Sequence, residues 1–325
     1  MRKNKNRTFG QVIFLLFSAL VFSVAFLLIF AAATIFRSQI PFFQLIDQQG
    51  VSVTESVGPK PAPYSGVVDL EVPVTTKLFV ILGSDYRPQS GYRTDVIMLA
   101  AVDTVSGQVS LVSFPRDLWV TIPGYYEQRI NTVMQVGGFS LLANTLQTNF
   151  GIYPGNYAMI DMAGFLEVVD TLGGVKIETD VATADACDSS LEPDRWCEVG
   201  PGTVELDSDW ALWYARARYN SSDFDRMRRT QEVVQAVMKK VLSPAGLLRM
   251  PALMNTYADN VQSNVTPGDL LLVSRLAIGF NSDQVHHYTI GPNQVTSWTT
   301  ADGAAVLLPN TAAIQAVLQS ALNFE

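Results

Sequence analysis

Between Leu78 and Ser113 the chain passes through three short apolar runs, 78–83, 96–102 and 109–113. Their brevity and their content of Val, Ile and Leu predict strands, and the first two are apolar on both faces, as in interior strands covered by helices. The turn-rich segment Asp103-Thr-Val-Ser-Gly107 joins the second and third at hairpin length. Downstream the apolar period lengthens. Helices are predicted over 137–150, 163–172 (stopped by Gly173-Gly174), 208–218, 223–241, 247–260, 267–280 and 311–322, with strands at 157–161, 175–178 and 285–290. A hairpin among helical crossovers implies an α/β layered domain around a mixed sheet.

The longest apolar run lies outside this alternation. From Gln11 to Phe36 there are 26 residues without a charge, and about 20 suffice to span a bilayer as a helix. Ala31-Ala-Ala-Thr34 resembles a leader-peptidase site, but the apolar run is too long for a signal peptide. Arg2, Lys3, Lys5 and Arg7 precede the span and Arg37 alone follows it closely, which places the N-terminus in the cytoplasm and the bulk outside. The expected organisation is a cytoplasmic tail (1–10), a transmembrane helix (11–36), a Pro-rich extracytoplasmic stalk (37–76) and one domain (77–325). Cys187 and Cys197, the only cysteines, fit a disulfide in an exported polar loop better than two loose thiols. Their spacing lacks the tight pairing of zinc ligands, and His286 and His287 read as ordinary residues of the strand at 285–290.

Charge narrows the chemistry. With five of the 22 basic groups in the first 37 residues, 17 remain against 30 acidic ones, a balance that excludes nucleic-acid binding over a broad face. Twelve of those 17 are arginine, and nine fall in segments 85–95, 116–131 and 216–229. Arginine clamps phosphate oxygens with a planar fork, whereas solubility alone is served equally by lysine. Carboxylates alternate with these arginines at strand ends, a pattern suited to holding a metal and phosphate together.

In order along the chain stand Gly83-Ser-Asp85-Tyr-Arg87, Arg93-Thr-Asp95, Ser113-Phe-Pro-Arg116-Asp117, Arg129-Ile-Asn131, Gly137-Gly138, Asp170-Thr-Leu-Gly-Gly-Val175, Arg216-Ala-Arg218 and Asp223-Phe-Asp-Arg226-Met-Arg-Arg229-Thr-Gln231. This ordered set resembles the LytR-CpsA-Psr family of membrane-anchored bacterial cell-wall glycopolymer ligases. The resemblance implies a three-layer α/β/α sandwich with a central mixed β-sheet and a hydrophobic channel for a polyprenyl tail. It also implies transfer of a glycopolymer from an undecaprenyl-pyrophosphate carrier to peptidoglycan through a phosphodiester link, at the outer face of the cytoplasmic membrane. Carried over by position, Asp85 and Asp95 match the Mg2+ (or Mn2+) and site carboxylates, and Arg93, Arg116, Arg216, Arg218 and Arg226 match pyrophosphate-binding arginines. Arg87, Arg129, Arg229 and Gln231 join them as candidate substrate contacts. Arg129, Thr132, Asp225 and Thr230 depart from the residues common in the family, which have Lys, His, Gly and Gln there.

Breaking a phosphoanhydride calls for neutralising charge on the leaving phosphate, which positioned guanidinium groups and a hard cation do without covalent chemistry. One or two carboxylates suffice for magnesium when substrate phosphates and waters complete its shell. Asp85, Asp95 or Asp117 is expected to orient or deprotonate the attacking hydroxyl, although Asp117 equally fits a local pair with Arg116. Arg226 and Arg229 share a helix face with Asp223, so the site competes there with a surface ion-pair ladder; Arg228 points elsewhere and reads as solvated. Arg216 and Arg218 can reach one ligand only if their helix ends between them. Leu141, Leu142, Leu146, Phe165, Val168 and Val169 read as core rather than channel wall. Two other functions stay open: a sensor or attenuator that binds phosphorylated wall precursors without turnover, and a ligase that uses a protein acceptor.

Overall fold

The computed structural model describes residues 66–87, 91–219, 222–266, 269 and 284–324, without the side chains of 86, 87, 91, 92 and 247. The expected transmembrane helix, most of the expected stalk and nearly all of the helix expected over 267–280 lie outside them, and no described helix is long and apolar enough to cross a membrane.

Strands β1 (Thr76–Arg87), β2 (Gly91–Asp103) and β3 (Val109–Phe114) are followed by a small hairpin of β4 (Trp119–Thr121) and β5 (Glu127–Arg129) and by helix α1 (Val133–Phe150). Next come β6 (Asn156–Asp161), α2 (Met162–Leu172), β7 (Val175–Thr179), the hairpin β8 (Thr183–Ala186) and β9 (Trp196–Val199), and β10 (Gly202–Leu206). Helices α3 (Ser208–Arg216), α4 (Asp223–Leu242), α5 (Pro244–Leu248) and α6 (Met250–Asn260) follow. Strands β11 (Val261–Ser263), β12 (Val285–Thr289), β13 (Val295–Thr299) and β14 (Ala305–Pro309) and helix α7 (Thr311–Leu322) complete the described chain.

Six strands form the central sheet in the order β11-β6-β1-β2-β3-β12. It is mixed, because the β1–β2 and β2–β3 hairpins are antiparallel while β6 and β12 join in parallel. Alternation divides the apolar strands between two faces. Leu78, Val80, Leu82, Ile97 and Leu99 pack with Leu142, Leu146 and Phe150 of α1 and Ile314 and Leu318 of α7. Met98, Ala100 and Leu111 face the other way, towards Val234 and Met238 of α4. Leu142, Leu146 and Val169 are therefore core, as expected. A further apolar cluster joins Val169 of α2, Val175 and Ile177 of β7, Val199 of β9 and Trp213 and Tyr214 of α3.

The helix starts are chemically legible. Asp161 caps α2 by accepting from the Gly164 N–H at 2.8 Å, and Asp207 caps α3 by accepting from that of Trp210 at 2.9 Å. Gly137-Gly138 breaks the first turn of α1 from the rest, and Gly138 has φ +66°, a conformation that suits glycine. Asp225 completes a capping box with Ser222 at the start of α4.

Candidate active site

Where β1 and β2 extend past the helices, the sheet register shifts. Gly83 pairs with Val96 but Ser84 pairs with Thr94, so Asp95 is the extra residue of a β-bulge. Strict alternation would send Asp95 and Val96 to opposite faces; the bulge brings both onto the wall of one cavity. Gly83 permits this close pairing, since a Cβ there would lie 3.0 Å from the Val96 Cβ.

That cavity, of about 1010 Å³, lies between the sheet, α2, α3, α4 and the β8–β9 hairpin. Its apolar wall includes Ile81, Ile160, Phe165, Leu212, Val233 and Val234, and Asp85, Arg93, Asp95, Arg116, Arg216, Arg218 and Arg226 also line it. Seven of the charged residues predicted from sequence thus share one chamber. Phe165 packs against the core cluster around Val169, as expected, and also borders the cavity.

The arginines are of two kinds. Arg116 and Arg226 are held by acids. Arg116 Nη1 donates to Asp95 Oδ1 at 2.9 Å, and its Nε stands 3.6 Å from Asp117 and 3.9 Å from Asp223. Burial opposes the Arg116 charge, but the hydrogen bond and charge of Asp95, with Asp117 and Asp223, prevail and raise its pKa. Arg226 is buried, forks Nε and Nη2 onto Asp223 Oδ1 at 3.0 and 2.8 Å, and donates to the Asp95 carbonyl at 3.2 Å. It joins the cavity and the ion pair at once, so the two expectations for this residue are not exclusive.

Arg93, Arg216 and Arg218 form no ion pair with a described residue. Helix α3 ends at Arg216, and Ala217 turns out of it with φ −50° and ψ 139°, so both arginines reach the cavity as the spacing required. Burial lowers the Arg218 pKa, and the positive charges of Arg116 and Arg226 lower it further. Guanidinium groups crowded to this degree form a field that an anion of high charge density relieves.

Other predicted residues stand behind this cluster. Asp117 does not line the cavity; it lies between Arg116 and Arg129, 3.3 Å from Arg129 Nε. Arg129 turns away and donates to the Ala305 carbonyl at 2.8 Å. Arg229 is buried and donates to the Ala217 carbonyl, which steadies the end of α3 between Arg216 and Arg218. Gln231 donates to Ser113 Oγ at 2.8 Å and to the Tyr288 carbonyl at 2.7 Å, tying α4 to β3 and β12. Arg87 closes β1; the contact expected of its side chain lies outside the described part. Arg228, expected in solvent, instead pairs with Glu232 and donates to Thr179 Oγ1 at 3.3 Å.

Two supporting residues were not among the site residues expected from sequence. Asp223 orients Arg226, a role signalled by their three-residue spacing on one helix face. Asn131 receives the Thr94 hydroxyl on its carbonyl at 3.2 Å and donates its N–H to the Arg116 carbonyl at 3.3 Å; nothing in its residue type marks it. The Cys187–Cys197 disulfide is present as expected.

Asp85 and Asp95 are the expected metal carboxylates. Both line the cavity, and no group of three or more metal-ligating side chains occurs among the described residues. Two carboxylates beside a cluster of arginines fit a hard divalent cation that takes its remaining ligands from substrate and water; they do not fit zinc.

The LytR_cpsA_psr family model matches residues 46–322. Among curated proteins, the regulatory protein MsrR of Staphylococcus aureus (strain COL) is 30% identical over 208 residues, 63% of this chain and 61% of that protein. The Enterococcus faecalis protein named polyisoprenyl-teichoic acid--peptidoglycan teichoic acid transferase TagU is 29% identical, over 62% of this chain and 63% of its own length. The match to these relatives spans only about three fifths of their length. Among solved structures, Bacillus subtilis TagV superposes with a TM-score of 0.64 at 21% identity, covering 77% of this chain and 98% of TagV. TagT bound to LIIa-WTA gives 0.62 at 22%, covering 81% and 96%. At these identities the superpositions show a shared fold.

Proposed function

Since the chain belongs to the LytR-CpsA-Psr family, we propose that it is a divalent-cation-dependent phosphotransferase that moves a glycopolymer from a polyprenyl-diphosphate carrier to peptidoglycan. The supporting observation is the juxtaposition of three arginines without ion-pair partners among the described residues, two acid-anchored arginines and two carboxylates with an apolar wall in one cavity. Such a chamber suits a diphosphate that carries a hydrocarbon tail. Activity on teichoic acid is a property stated of the Enterococcus relative, and it points the same way.

In the reaction an acceptor hydroxyl attacks the phosphorus that bears the sugar. The phosphoanhydride bond breaks, polyprenyl phosphate leaves with the electron pair, and the acceptor becomes joined by a phosphodiester. Arg93, Arg216 and Arg218 bind the diphosphate, and Arg116 and Arg226, held by Asp95 and Asp223, meet the charge that grows on the leaving phosphate without reorganising. Asp85 or Asp95, both on the cavity wall, receives the hydroxyl proton, whereas Asp117 stands outside the cavity. Asp85 and Asp95 would hold a Mg2+, which would supply Lewis-acid stabilisation of phosphate oxygens when bound. The membrane span expected at 11–36 would keep this chamber at the bilayer surface where such carriers reside.

The test supplies the purified full chain with a prenyl-diphosphate oligosaccharide, peptidoglycan fragments and Mg2+, and follows polyprenyl phosphate release and the new phosphodiester. Asp85→Ala should abolish transfer and Arg218→Ala should reduce it roughly a hundredfold. Binding without release in the wild type, unaffected by Asp85→Ala, would instead make the protein a sensor of wall precursors. Transfer to a supplied protein but not to peptidoglycan would reassign the acceptor.

A further inference from the structure

The β8–β9 hairpin carries an aromatic feature that the reaction above does not use. Trp196 on β9 is 41% exposed and Tyr219, just after α3, is 55% exposed. Their ring centroids are 4.8 Å apart with planes at 84°, so the two rings form a right-angled corner. Lone aromatic residues on a surface need no explanation. Here two far apart in sequence meet beside the site: Arg195 and Arg218, the residues immediately before them, both line the cavity, as does Ala186, the cross-strand partner of Trp196.

The corner is held in place. The Cys187–Cys197 disulfide joins the two strands, and the Asp185 carboxylate accepts the backbone N–H groups of Arg218 and Tyr219, the latter at 3.1 Å. Arg195 is the one non-glycine residue with a positive φ among those described, at 61°. A backbone in this region costs on the order of 1 kcal/mol. At this turn Arg195 reaches the cavity while Trp196 remains at the surface.

We infer that Trp196 and Tyr219 bind the sugar attached to the donor diphosphate, an inference that rests on the transferase reading. A pyranose presents a face of polarised C–H groups, which the electron-rich faces of aromatic rings attract, and a rim of hydroxyls that need polar partners. Asp188 and Ser190, on the same hairpin and lining the cavity, are such partners. Reach agrees as well: the first sugar is bonded directly to the distal phosphate, and Tyr219 follows directly on Arg218. A prenyl chain belongs instead against the apolar wall of Ile160, Phe165 and Val234, away from a corner flanked by charges.

The experiment measures binding of two ligands to the full-length protein, a short-chain prenyl diphosphate and the same lipid bearing one N-acetylhexosamine. Trp196→Ala and Tyr219→Ala should each weaken the sugar-bearing ligand about tenfold and leave affinity for the bare diphosphate unchanged, which also shows that the variants are folded. Trp196→Phe should retain most of the affinity. Equal weakening of both ligands, or no weakening of the sugar-bearing one, overturns the inference. A wild-type protein that binds neither lipid overturns the transferase reading, and the sugar corner with it.

Discussion

Arg218 and Arg226 stand in one cavity and answer to different constraints. Arg226 is buried among its partners Asp223 and the Asp95 carbonyl, so Arg226→Ala leaves Asp223 only the more distant Arg116 and should lower stability by about 1–3 kcal/mol as well as activity. Arg218 has no ion-pair partner among the described residues and crowds against like charge. Arg218→Ala should therefore reduce transfer roughly a hundredfold while thermal unfolding stays within about 0.5 kcal/mol of wild type; a large fall in the melting temperature would show that its charge is structural. The cavity arginines were legible in the sequence because guanidinium groups recur beside carboxylates in segments that only a fold can bring together. Arg129, Arg229 and Gln231 carry the same signals and stand behind the cavity. The difference lies in direction, which residue type does not encode: each spends its donors on a backbone carbonyl or a buried hydroxyl.

Among elements, the bulge at Asp95 is the most consequential and the least visible beforehand. The apolar run 96–102, continuous over both faces, gives no sign of an extra residue before it, and only the pairing of Gly83 with Val96 and Ser84 with Thr94 reveals it. Gly83→Ala should press on Val96, whose Cβ would lie 3.0 Å from the new methyl, and turn Asp95 from the cavity; activity should fall more steeply than stability. Long elements were readable because period and caps agree, as in α2 between Asp161 and Gly173. The β4–β5, β8–β9 and β13–β14 hairpins escaped because strands of three to five residues are too short to leave a periodic trace. The capping box of α4 offers a titration. Hydrogen bonds from the Ser222 side chain and backbone hold the Asp225 pKa below its ordinary value. Its contribution is complete above the unfolded-state pKa and disappears as pH falls through the lower folded-state value. Asp225→Asn should flatten that part of the acid limb in a stability-versus-pH series; an unchanged slope would show that the box contributes nothing.

In the molecule as a whole, the sheet is buried under α1 and α7 on one side and α4 on the other, while the cavity is closed laterally by a hairpin with few contacts to the central sheet. Breaking the Cys187–Cys197 bond, which spans ten residues, should cost about 2–3 kcal/mol by loop entropy. Calorimetry on the Cys187→Ser, Cys197→Ser double variant checks this, with the central sheet expected to persist in circular dichroism. Asp185, which fastens the segment after α3, lies within that hairpin. Copies assembled without an oxidant would therefore keep the same scaffold and grip their donor loosely, so a preparation can be uniform in shape and uneven in output, and counting molecules will overstate how many are at work.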